Sequence, residues 1–276
     1  MRKNKDILLN LPRKGEFIEV FRLEEIEDNR LFANYRRYDF YQLMWVTRAN
    51  GDTSYSLDFN EYKLEDNQLI FIFPGQIDRM NPDGKQGFLY TIHNEVLFRI
   101  NQHLQSDYLN GYLSNLFLKP DENLTQTLQR INSLILDEYN TANRLPLMES
   151  YMQVFLFHLS SLTESVEGIK KNSDPAVADL MKLIDKHFIQ QRETNFYAEK
   201  LGLTNKTVNE ICKKGTGKTV KQHLQERLVL EMKKEIRVGR KSLKEISFEL
   251  GFSEPAYFTR FFKHHTSMTP SEFKEN

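Results

Sequence analysis

The last hundred residues of the chain contain a repeated pattern, and this repeat restricts the fold more than any other feature of the sequence. Residues 198–204 read AEKLGLT, residues 247–253 read SFELGFS, and apolar residues at helical spacing follow each run. The copies are offset by 49 residues up to the turn and by 50 residues after it. Each copy predicts a helix that ends in Leu-Gly, a tight turn in which glycine accepts a positive φ, and a second helix. This order of elements is that of a helix-turn-helix.

The two motifs are predicted at about residues 195–214 and 243–264. Residues 220–237 predict a continuous helix that joins them. Residues 242–245 and 269–272 have the sequence of capping boxes, in which a hydroxyl and a glutamate satisfy free backbone N–H groups at a helix start. Because the region has no strand pattern, it is expected to be a compact bundle of about seven short helices.

Two copies indicate a function that one copy would not. A single match is a weak signal, because any two short helices can satisfy it. If the joining helix holds the second helices of the motifs parallel and about one DNA turn apart, each can enter a successive major groove on one side of a duplex. Double-stranded DNA is therefore the predicted partner of this region.

The charge distribution agrees with this prediction. The whole chain has 38 basic and 38 acidic residues, so its formal net charge is zero. Residues 1–174 contain 19 Lys and Arg against 25 Asp and Glu, whereas residues 175–276 contain 19 against 13. A module with a charge of about +6 is thus attached to one of about −6, as expected for a nucleic-acid-binding domain fused to a domain with another role.

The first part of the chain predicts antiparallel strands. Residues 55–60 alternate between apolar and polar side chains, and residues 40–46 and 69–73 are apolar runs suited to strands that are covered on both faces. Turn sequences separate these runs at 50–51, 74–75 and 82–84. Residues 15–100 are therefore predicted to form a small β-barrel or sandwich.

The predicted fold class is α+β with two domains. The first domain covers residues 1–165 and consists of the β-barrel followed by amphipathic helices at about 101–165. A linker is predicted at 166–174, and residues 175–276 form the helical domain. Asp174 and Pro175 are expected to begin its first helix as N-cap and first-turn proline.

Composition excludes several other classes. With 39% hydrophobic and 28% charged residues the chain is typical of a globular protein, and no apolar run approaches the roughly 20 residues needed to cross a bilayer. The single cysteine, Cys212, cannot form an intramolecular disulfide. It is predicted to be a small buried apolar residue, with a redox switch as the alternative. A cytoplasmic location without a membrane partner is expected.

The helical domain resembles the DNA-binding domain of AraC/XylS-type bacterial transcription regulators. Residues 246–263, ISFELGFSEPAYFTRFFK, and residues 268–273, MTPSEF, are similar to the family's signature. The first copy is similar through residues 197–204 and 217–219. The resemblance implies promoter binding, usually activation by contact with RNA polymerase, and often a small-molecule effector.

The first part of the chain resembles the same family's cupin-like domain for sensing and dimerisation. The similarity is carried by residues 39–45, DFYQLMW, and residues 71–76, FIFPGQ. It implies a homodimer, and an effector for which a carbohydrate is one candidate.

The resemblance also implies which residues of the first recognition helix and its cap face DNA: Thr204, Asn205, Lys206, Asn209, Glu210, Lys213 and Lys214. Asparagine can bind adenine through two hydrogen bonds, and lysine can meet guanine or phosphate. Family members commonly have Arg at the position of Glu210. A carboxylate there can accept from cytosine, or it can belong to a solvated face, and both alternatives stay open.

For the second recognition helix and its cap the corresponding set is Ser253, Glu254, Ala256, Tyr257, Arg260 and Lys263. Arg260 is the candidate for guanine, because its planar fork fits O6 and N7 together. Ala256 and Tyr257 can contact a thymine methyl group. The phenylalanines at 258, 261 and 262 are predicted to be core. Thr204 and Ser253 are predicted to cap their helices.

The barrel is not predicted to be an enzyme. A metal-dependent barrel needs several histidines and a carboxylate at one site, but the first 174 residues contain only His93, His103 and His158, of which two fall in the helical part. No metal and no cofactor are therefore predicted. Four residues are instead candidates for an effector pocket if they face inward: Arg36, Tyr41, Trp45 and Tyr55. The alternative is that they fill the barrel or a dimer interface.

Taken together, the sequence predicts a sequence-specific DNA-binding regulator, with an activator favoured over a repressor. Two alternatives compete with it. The chain could be a metal-free sugar-binding cupin whose helical tail contacts other proteins. It could also be an architectural DNA binder whose affinity depends on salt and little on sequence.

Overall fold

The computed structural model describes residues 16–26, 34–104, 116–163 and 175–275. The chain divides into two compact units, unit one with residues 1–170 and unit two with residues 171–276. The predicted linker at 166–174, including Asp174, lies outside the described residues.

Unit one contains nine strands in its described residues: β1 Ile18–Arg22, β2 Arg36–Arg37, β3 Tyr41–Ala49, β4 Ser54–Leu57, β5 Asn60–Lys63, β6 Gln68–Ile72, β7 Ile77–Met80, β8 Lys85–Ile92 and β9 Leu116–Leu118. A short 3-10 helix at Leu23–Glu25 and three α-helices accompany them: α1 Asn94–Leu104, α2 Glu122–Asn140 and α3 Leu145–Thr163.

The strands form two antiparallel sheets. One has five strands in the order β1-β8-β3-β6-β9, and the other has four in the order β2-β7-β4-β5. The predicted antiparallel β-domain followed by a helical region is confirmed, and its strands form a two-sheet sandwich.

Alternation along β3 explains how the layers pack. Met44 and Val46 belong to a core between the sheets, together with Tyr55 from the four-stranded sheet. Leu43 and Trp45 point the other way, into a core that α1, α2 and α3 complete. The five-stranded sheet is therefore covered on both faces, which confirms the interpretation of the apolar runs at 40–46 and 69–73.

Three local predictions for unit one are corrected. The alternating stretch at 55–60 is not one strand, because Asp58 and Phe59 have φ of 49° and 65° and form the turn between β4 and β5. Helix α1 begins before residue 101, within the predicted barrel. Strand β9 lies within the predicted helical region and pairs with β6. Its three residues are too few to show a period.

An ion pair joins α2 to Arg144, the residue before α3, and gives unit one a testable pH dependence. The carboxylate of the buried Glu138 accepts from Arg144 Nη2 at 2.7 Å and from the Arg144 backbone N–H at 2.7 Å. These bonds lower the pKa of Glu138 from 4.5 to about 2. Because the pKa of Glu138 is lower in the folded state, its ion pair stabilises unit one fully above pH about 4.5. This stabilisation is lost as the pH falls towards 2.

We therefore expect the difference in melting temperature between the wild-type chain and Glu138→Gln to shrink as the pH is lowered from 5 to 2. Fluorescence of Trp45, the single tryptophan, reports on unit one because the residue is fully buried there. The exposed neighbour Asp137, replaced by Asn, is the control, and its difference should change little. If the difference in melting temperature between the wild type and Glu138→Gln stayed constant with pH, the lowered pKa of Glu138 would be contradicted.

Unit two contains seven helices in its described residues: α4 Pro175–His187, α5 Thr194–Lys200, α6 Asn205–Thr216, α7 Val220–Val238, α8 Leu243–Glu249, α9 Pro255–Thr266 and α10 Pro270–Glu275. The predicted all-helical bundle is confirmed. Its core gathers buried residues from each of these helices except α10, whose Phe273 packs against it.

The long helix α7 is tied to α4 by charged side chains. Arg227 Nε donates to Asp185 at 2.7 Å, and its Nη1 donates to Glu231 at 2.9 Å. The same guanidinium lies 4.4 Å from the centre of the Phe188 ring. These contacts anchor the joining helix to the rest of the unit.

None of the helices in the described ranges of the chain is long and apolar enough to cross a membrane.

Candidate nucleic-acid interface

The first helix-turn-helix consists of α5, a turn and α6. Gly202 has a φ of 64°, as its position in the turn predicted. Ala198 is buried, so the two helices approach closely. Thr204 is the N-cap of α6, and its hydroxyl accepts from the Thr207 N–H at 3.1 Å. The predicted cap is confirmed.

The second helix-turn-helix consists of α8, a turn and α9. Gly251 has a φ of 73°, and Ser247 is fully buried where the first copy has Ala198. The capping box of Ser242 and Glu245 begins α8 as predicted. Both copies thus have the same geometry at the turn, although the start of α5 has no side-chain cap.

The predicted cap of the second recognition helix is wrong. Glu254 is the N-cap, without a side-chain cap bond, and Pro255 is the first helical residue. A proline disfavours helical backbone at the residue before it, and Glu254 is accordingly extended with φ −138° and ψ 133°. Ser253 is therefore an exposed turn residue one position ahead of the cap.

The predicted residues of α6 share one exposed face. Asn205, Lys206, Glu210, Lys213 and Lys214 are exposed. Lys206 Nζ lies 3.9 Å from Glu210 Oε1, one turn along the helix. The two charges partly offset each other, so the basic character of this face comes chiefly from its C-terminal end.

Asn209 differs from its neighbours. It is half-buried, its Nδ2 donates to Asn205 O at 2.9 Å, and its Oδ1 accepts from the Val220 N–H at 3.2 Å.

The predicted residues of α9 also form one exposed face. Glu254, Ala256, Arg260 and Lys263 are exposed, and Tyr257 is 48% exposed. No described residue forms an ion pair with Arg260, so its guanidinium is available to a ligand.

Behind this face lies an aromatic core. The ring of Tyr257 packs edge-on against Phe252 at 5.6 Å between centroids. Phe258 and Phe262 are buried, and Phe261 is partly buried, which confirms the prediction that all three belong to the core. These three phenylalanines therefore hold α9 in place rather than stack on bases.

Sequence reasoning missed Arg192, which lies between α4 and α5. Its guanidinium sits 4.6 Å from the Phe252 ring centre, and its Nη2 donates to Leu250 O. A Cβ on Gly251 would come within 3.2 Å of that nitrogen. Arg192 thus holds the second turn from a segment beside the first motif. No periodic signal marks it, because its partners lie about 60 residues away in the sequence.

The prediction for Cys212 is confirmed. Cys212 is fully buried, and burial raises the pKa of its thiol, as expected for a core residue. His264 and His265 lie in the last turn of α9. The described residues contain no group of three or more His, Cys, Asp or Glu arranged to hold a metal ion.

The four effector candidates of unit one are not brought together. Tyr41 and Trp45 lie on the face of β3 that packs against the helices, and the Trp45 ring is 5.8 Å from Phe155 of α3. Tyr55 and Arg36 belong to the other sheet. The expectation that all four face inward is therefore wrong for Tyr41 and Trp45, because odd-numbered residues of β3 point away from the second sheet.

A buried polar cluster surrounds the remaining two candidates. Arg36 Nη2 donates to Asp78 Oδ2 at 2.7 Å, and both side chains are buried. Burial raises the pKa of Asp78 and that of Tyr55, with the charge of Asp78 adding to the shift of Tyr55. Tyr55 Oη and Asp78 Oδ1 have no hydrogen-bond partner among the described residues. Buried polar atoms without partners are uncommon and need an explanation.

Comparison with protein families identifies both units. A family described as "AraC-like ligand binding domain" matches residues 17–155, which is half of the chain. The chain belongs to the AraC family. A second family, described as "Helix-turn-helix domain", matches residues 197–276 of this AraC-family chain. The helix-turn-helix elements described above therefore belong to a recognised DNA-binding domain, which follows an AraC-like ligand-binding domain.

Individual relatives are regulators by name. The transcriptional activator RhaS of Enterobacter sp. (strain 638) is 25% identical over 156 residues, which are 54% of this chain and 55% of RhaS. The chain thus spans about half the length of the RhaS proteins that it matches. "Probable transcription factor PqrA" of Proteus vulgaris is 31% identical over 107 residues, 38% of this chain and 87% of PqrA.

Solved structures also match this AraC-family chain. ToxT from Vibrio cholerae is 12% identical with a TM-score of 0.49, and the match covers 95% of this chain and 98% of ToxT. The C-terminal domain of the response regulator yesN from Fusobacterium nucleatum is 22% identical with a TM-score of 0.35. That match covers 37% of this chain and 99% of that domain.

The ends of the two recognition helices predict a stabilising substitution. Gly217 ends α6 with a φ of 77°, whereas Ser267 ends α9 with a φ of 64°. A side chain in the left-handed region is strained, and glycine is not. Ser267→Gly should therefore stabilise unit two by about 0.5–1 kcal/mol, and Gly217→Ser should destabilise it by a similar amount. Urea unfolding followed by helical circular dichroism measures both, and a loss of stability in Ser267→Gly would refute the argument.

Proposed function

We propose that the chain is a sequence-specific transcriptional regulator that binds promoter DNA in the cytoplasm through both recognition helices, and that it is an activator. The observation that carries the proposal is the repeated helix-turn-helix in a unit of positive charge. Each copy presents an exposed polar face backed by a packed core. Two relatives that are named as a transcriptional activator and a transcription factor support it.

Roles follow from chemistry on each face. Arg260 reads guanine in the major groove, while Ala256 and Tyr257 contact a thymine methyl group. Asn205 and Lys206 contact bases or phosphates from α6. Lys213, Lys214 and Lys263 bind phosphate, and Thr204 with the exposed turn residues Ser253 and Glu254 lies at the approach to the backbone.

Unit one senses a small polar molecule and forms a homodimer in this proposal. Tyr55 and Asp78 supply buried oxygens without partners, and Arg36 supplies a charge beside them. A hydroxyl-rich ligand such as a carbohydrate can both donate to Asp78 and accept from Tyr55. Its binding would change whether both recognition helices can dock on DNA, and contact with RNA polymerase would follow promoter binding.

A nonspecific architectural role is the second candidate. It is favoured by the lysines at the C-terminal end of α6, which suit phosphate contacts of any sequence. The guanidinium of Arg260, which is exposed and forms no ion pair with a described residue, favours the specific role, since a bidentate fork discriminates between bases.

Competition binding tests the proposal. The purified full-length chain is titrated with its own upstream DNA and with a scrambled duplex of equal length and composition, at physiological salt and at a higher salt concentration. We expect a preference for the upstream fragment of at least about 10³-fold that persists when salt weakens both complexes. Equal affinity for both fragments with a steep salt dependence would contradict the specific role and favour the architectural one.

A further inference from the structure

Equivalent positions in the two copies make one equivalent hydrogen bond. In α6, Asn209 Nδ2 donates to the carbonyl of Asn205, four residues earlier, at 2.9 Å. Fifty residues later, in α9, Thr259 Oγ1 donates to the carbonyl of Pro255 at 3.0 Å. Position 209 therefore corresponds to position 259 in structure as well as in sequence.

The helix that follows each recognition helix also begins in the same way. Thr219 and Gln222 form a capping box at the start of α7, and Thr269 and Glu272 form the matching bonds at the start of α10. The first helical residue after the cap is buried in both copies, as Val220 in one and as Pro270 in the other.

The copies differ in what this first residue requires. The first N–H groups of a helix have no partner inside the helix, and a buried one must find another acceptor. Val220 has such an N–H, and Asn209 Oδ1 accepts from it at 3.2 Å. Pro270 has no N–H, so the second copy needs no acceptor. The shorter Thr259 stands at the position of Asn209 in that copy.

We propose that Asn209 is a positioning residue that holds the first recognition helix against the start of α7, and that it does not read bases. Adenine recognition by asparagine uses Oδ1 and Nδ2 together. Both atoms of Asn209 are already engaged within the unit, and their release would leave the buried Val220 N–H without a partner. Base contacts from α6 then come from Asn205, Lys206 and Glu210. This last step rests on the proposed function.

A stability cycle tests the positioning role without DNA. Four full-length chains are compared by thermal unfolding followed by helical circular dichroism: wild type, Asn209→Ala, Val220→Pro and the double variant. Asn209→Ala should lower the melting temperature of unit two by about 4–8 °C. Proline fits the first position of a helix, so Val220→Pro is compatible with the start of α7. In the double variant it should restore most of the melting temperature lost in Asn209→Ala, because no N–H is left to satisfy. Additive losses would overturn the proposal.

The second copy offers the reverse test. Pro270→Val introduces an N–H without an acceptor and should lower the melting temperature. Adding Thr259→Asn should restore it, because the new amide can accept as Asn209 does. If the double variant were no more stable than Pro270→Val, a hydrogen bond of the kind that Asn209 accepts from the Val220 N–H would not be what stabilises the start of the following helix.

DNA selected from a randomised duplex pool tests the positioning role in function. Binding is measured at a temperature at which every variant is folded, so that stability alone has no effect. Asn209→Ala should weaken all selected sequences by a similar factor, on the order of tenfold, and Val220→Pro, which removes the same hydrogen bond, should weaken them in the same way. Loss of preference at one base position in Asn209→Ala but not in Val220→Pro would assign Asn209 to base reading. If the wild type enriched no sequence, the proposed function would fail, and the stability cycle would still decide the role of Asn209.

Discussion

Replacement of Gly87 by alanine should strongly destabilise unit one while leaving the stability of unit two unchanged. Gly87 lies in β8 beside an irregularity in β3, where the register shifts between Val46 and Arg48. Its φ of +141° disfavours any side chain, and a Cβ would come 2.0 Å from the carbonyl oxygen of Trp45 and 3.0 Å from the backbone nitrogen of Thr47. Because both are backbone atoms of the central strand, neither can move without breaking sheet hydrogen bonds.

We expect a destabilisation of about 3–5 kcal/mol, a large part of the stability of a domain of this size. Trp45 fluorescence should shift to the red at a much lower urea concentration than in the wild type, together with the helical signal of α1, α2 and α3. The helical signal that remains after this transition comes from unit two and should keep its midpoint. Gly75→Ala is the matched control. It also has a positive φ, of 80°, but the nearest atom to its Cβ is the flexible Arg37 Nη2 at 3.4 Å. Equal effects of the two substitutions would show that the close approach at Gly87 is not decisive.

Replacement of Arg260 by alanine should relax the sequence preference of the full-length chain. The side chain is exposed on α9 and forms no ion pair with any described residue, so its removal does not disturb the fold. Loss of a bidentate contact to guanine costs about 1–3 kcal/mol. Affinity for the preferred duplex should therefore fall by about 5- to 150-fold, whereas affinity for scrambled DNA changes much less.

Lys263→Ala is the control for this prediction, because it lies one turn further along the same helix and is also exposed. A phosphate contact carries no sequence information, so Lys263→Ala should weaken binding to preferred and scrambled DNA alike. It should also reduce the slope of log affinity against log salt concentration by about one. If Arg260→Ala behaved in the same way as Lys263→Ala, the base-reading role of Arg260 would be refuted.

The helical unit could be predicted almost completely from the sequence. Its signals are local: glycines at the two turns, hydroxyl caps, and apolar residues at helical spacing. The prediction failed at Ser253, where the analogy with Thr204 concealed the effect of Pro255 on the residue before it. It also assigned Asn209 to the exposed face by position alone. The hydrogen bond that Asn209 Oδ1 accepts from the Val220 N–H could not be predicted from the spacing of residues.

The sheet unit could be predicted only in part. Turn sequences and apolar runs identified β3 and β6 and the two covered faces of their sheet. The sequence did not determine which face of β3 points to the second sheet, because both faces are apolar. A period of two separates the two faces but does not say which one packs against the other sheet. Tyr41 and Trp45 were therefore placed on the wrong side. The buried pair of Arg36 and Asp78 joins residues 42 positions apart, and no local pattern indicates it.

The most direct test of the account is the base-preference profile of duplexes selected from a randomised pool by the full-length chain. The account predicts two clusters of preferred positions, about 10–10.5 base pairs apart from centre to centre, with Arg260→Ala flattening only one of them. A profile without preferred positions, or a single cluster that Arg260→Ala leaves unchanged, would contradict the claim that two recognition helices read successive major grooves.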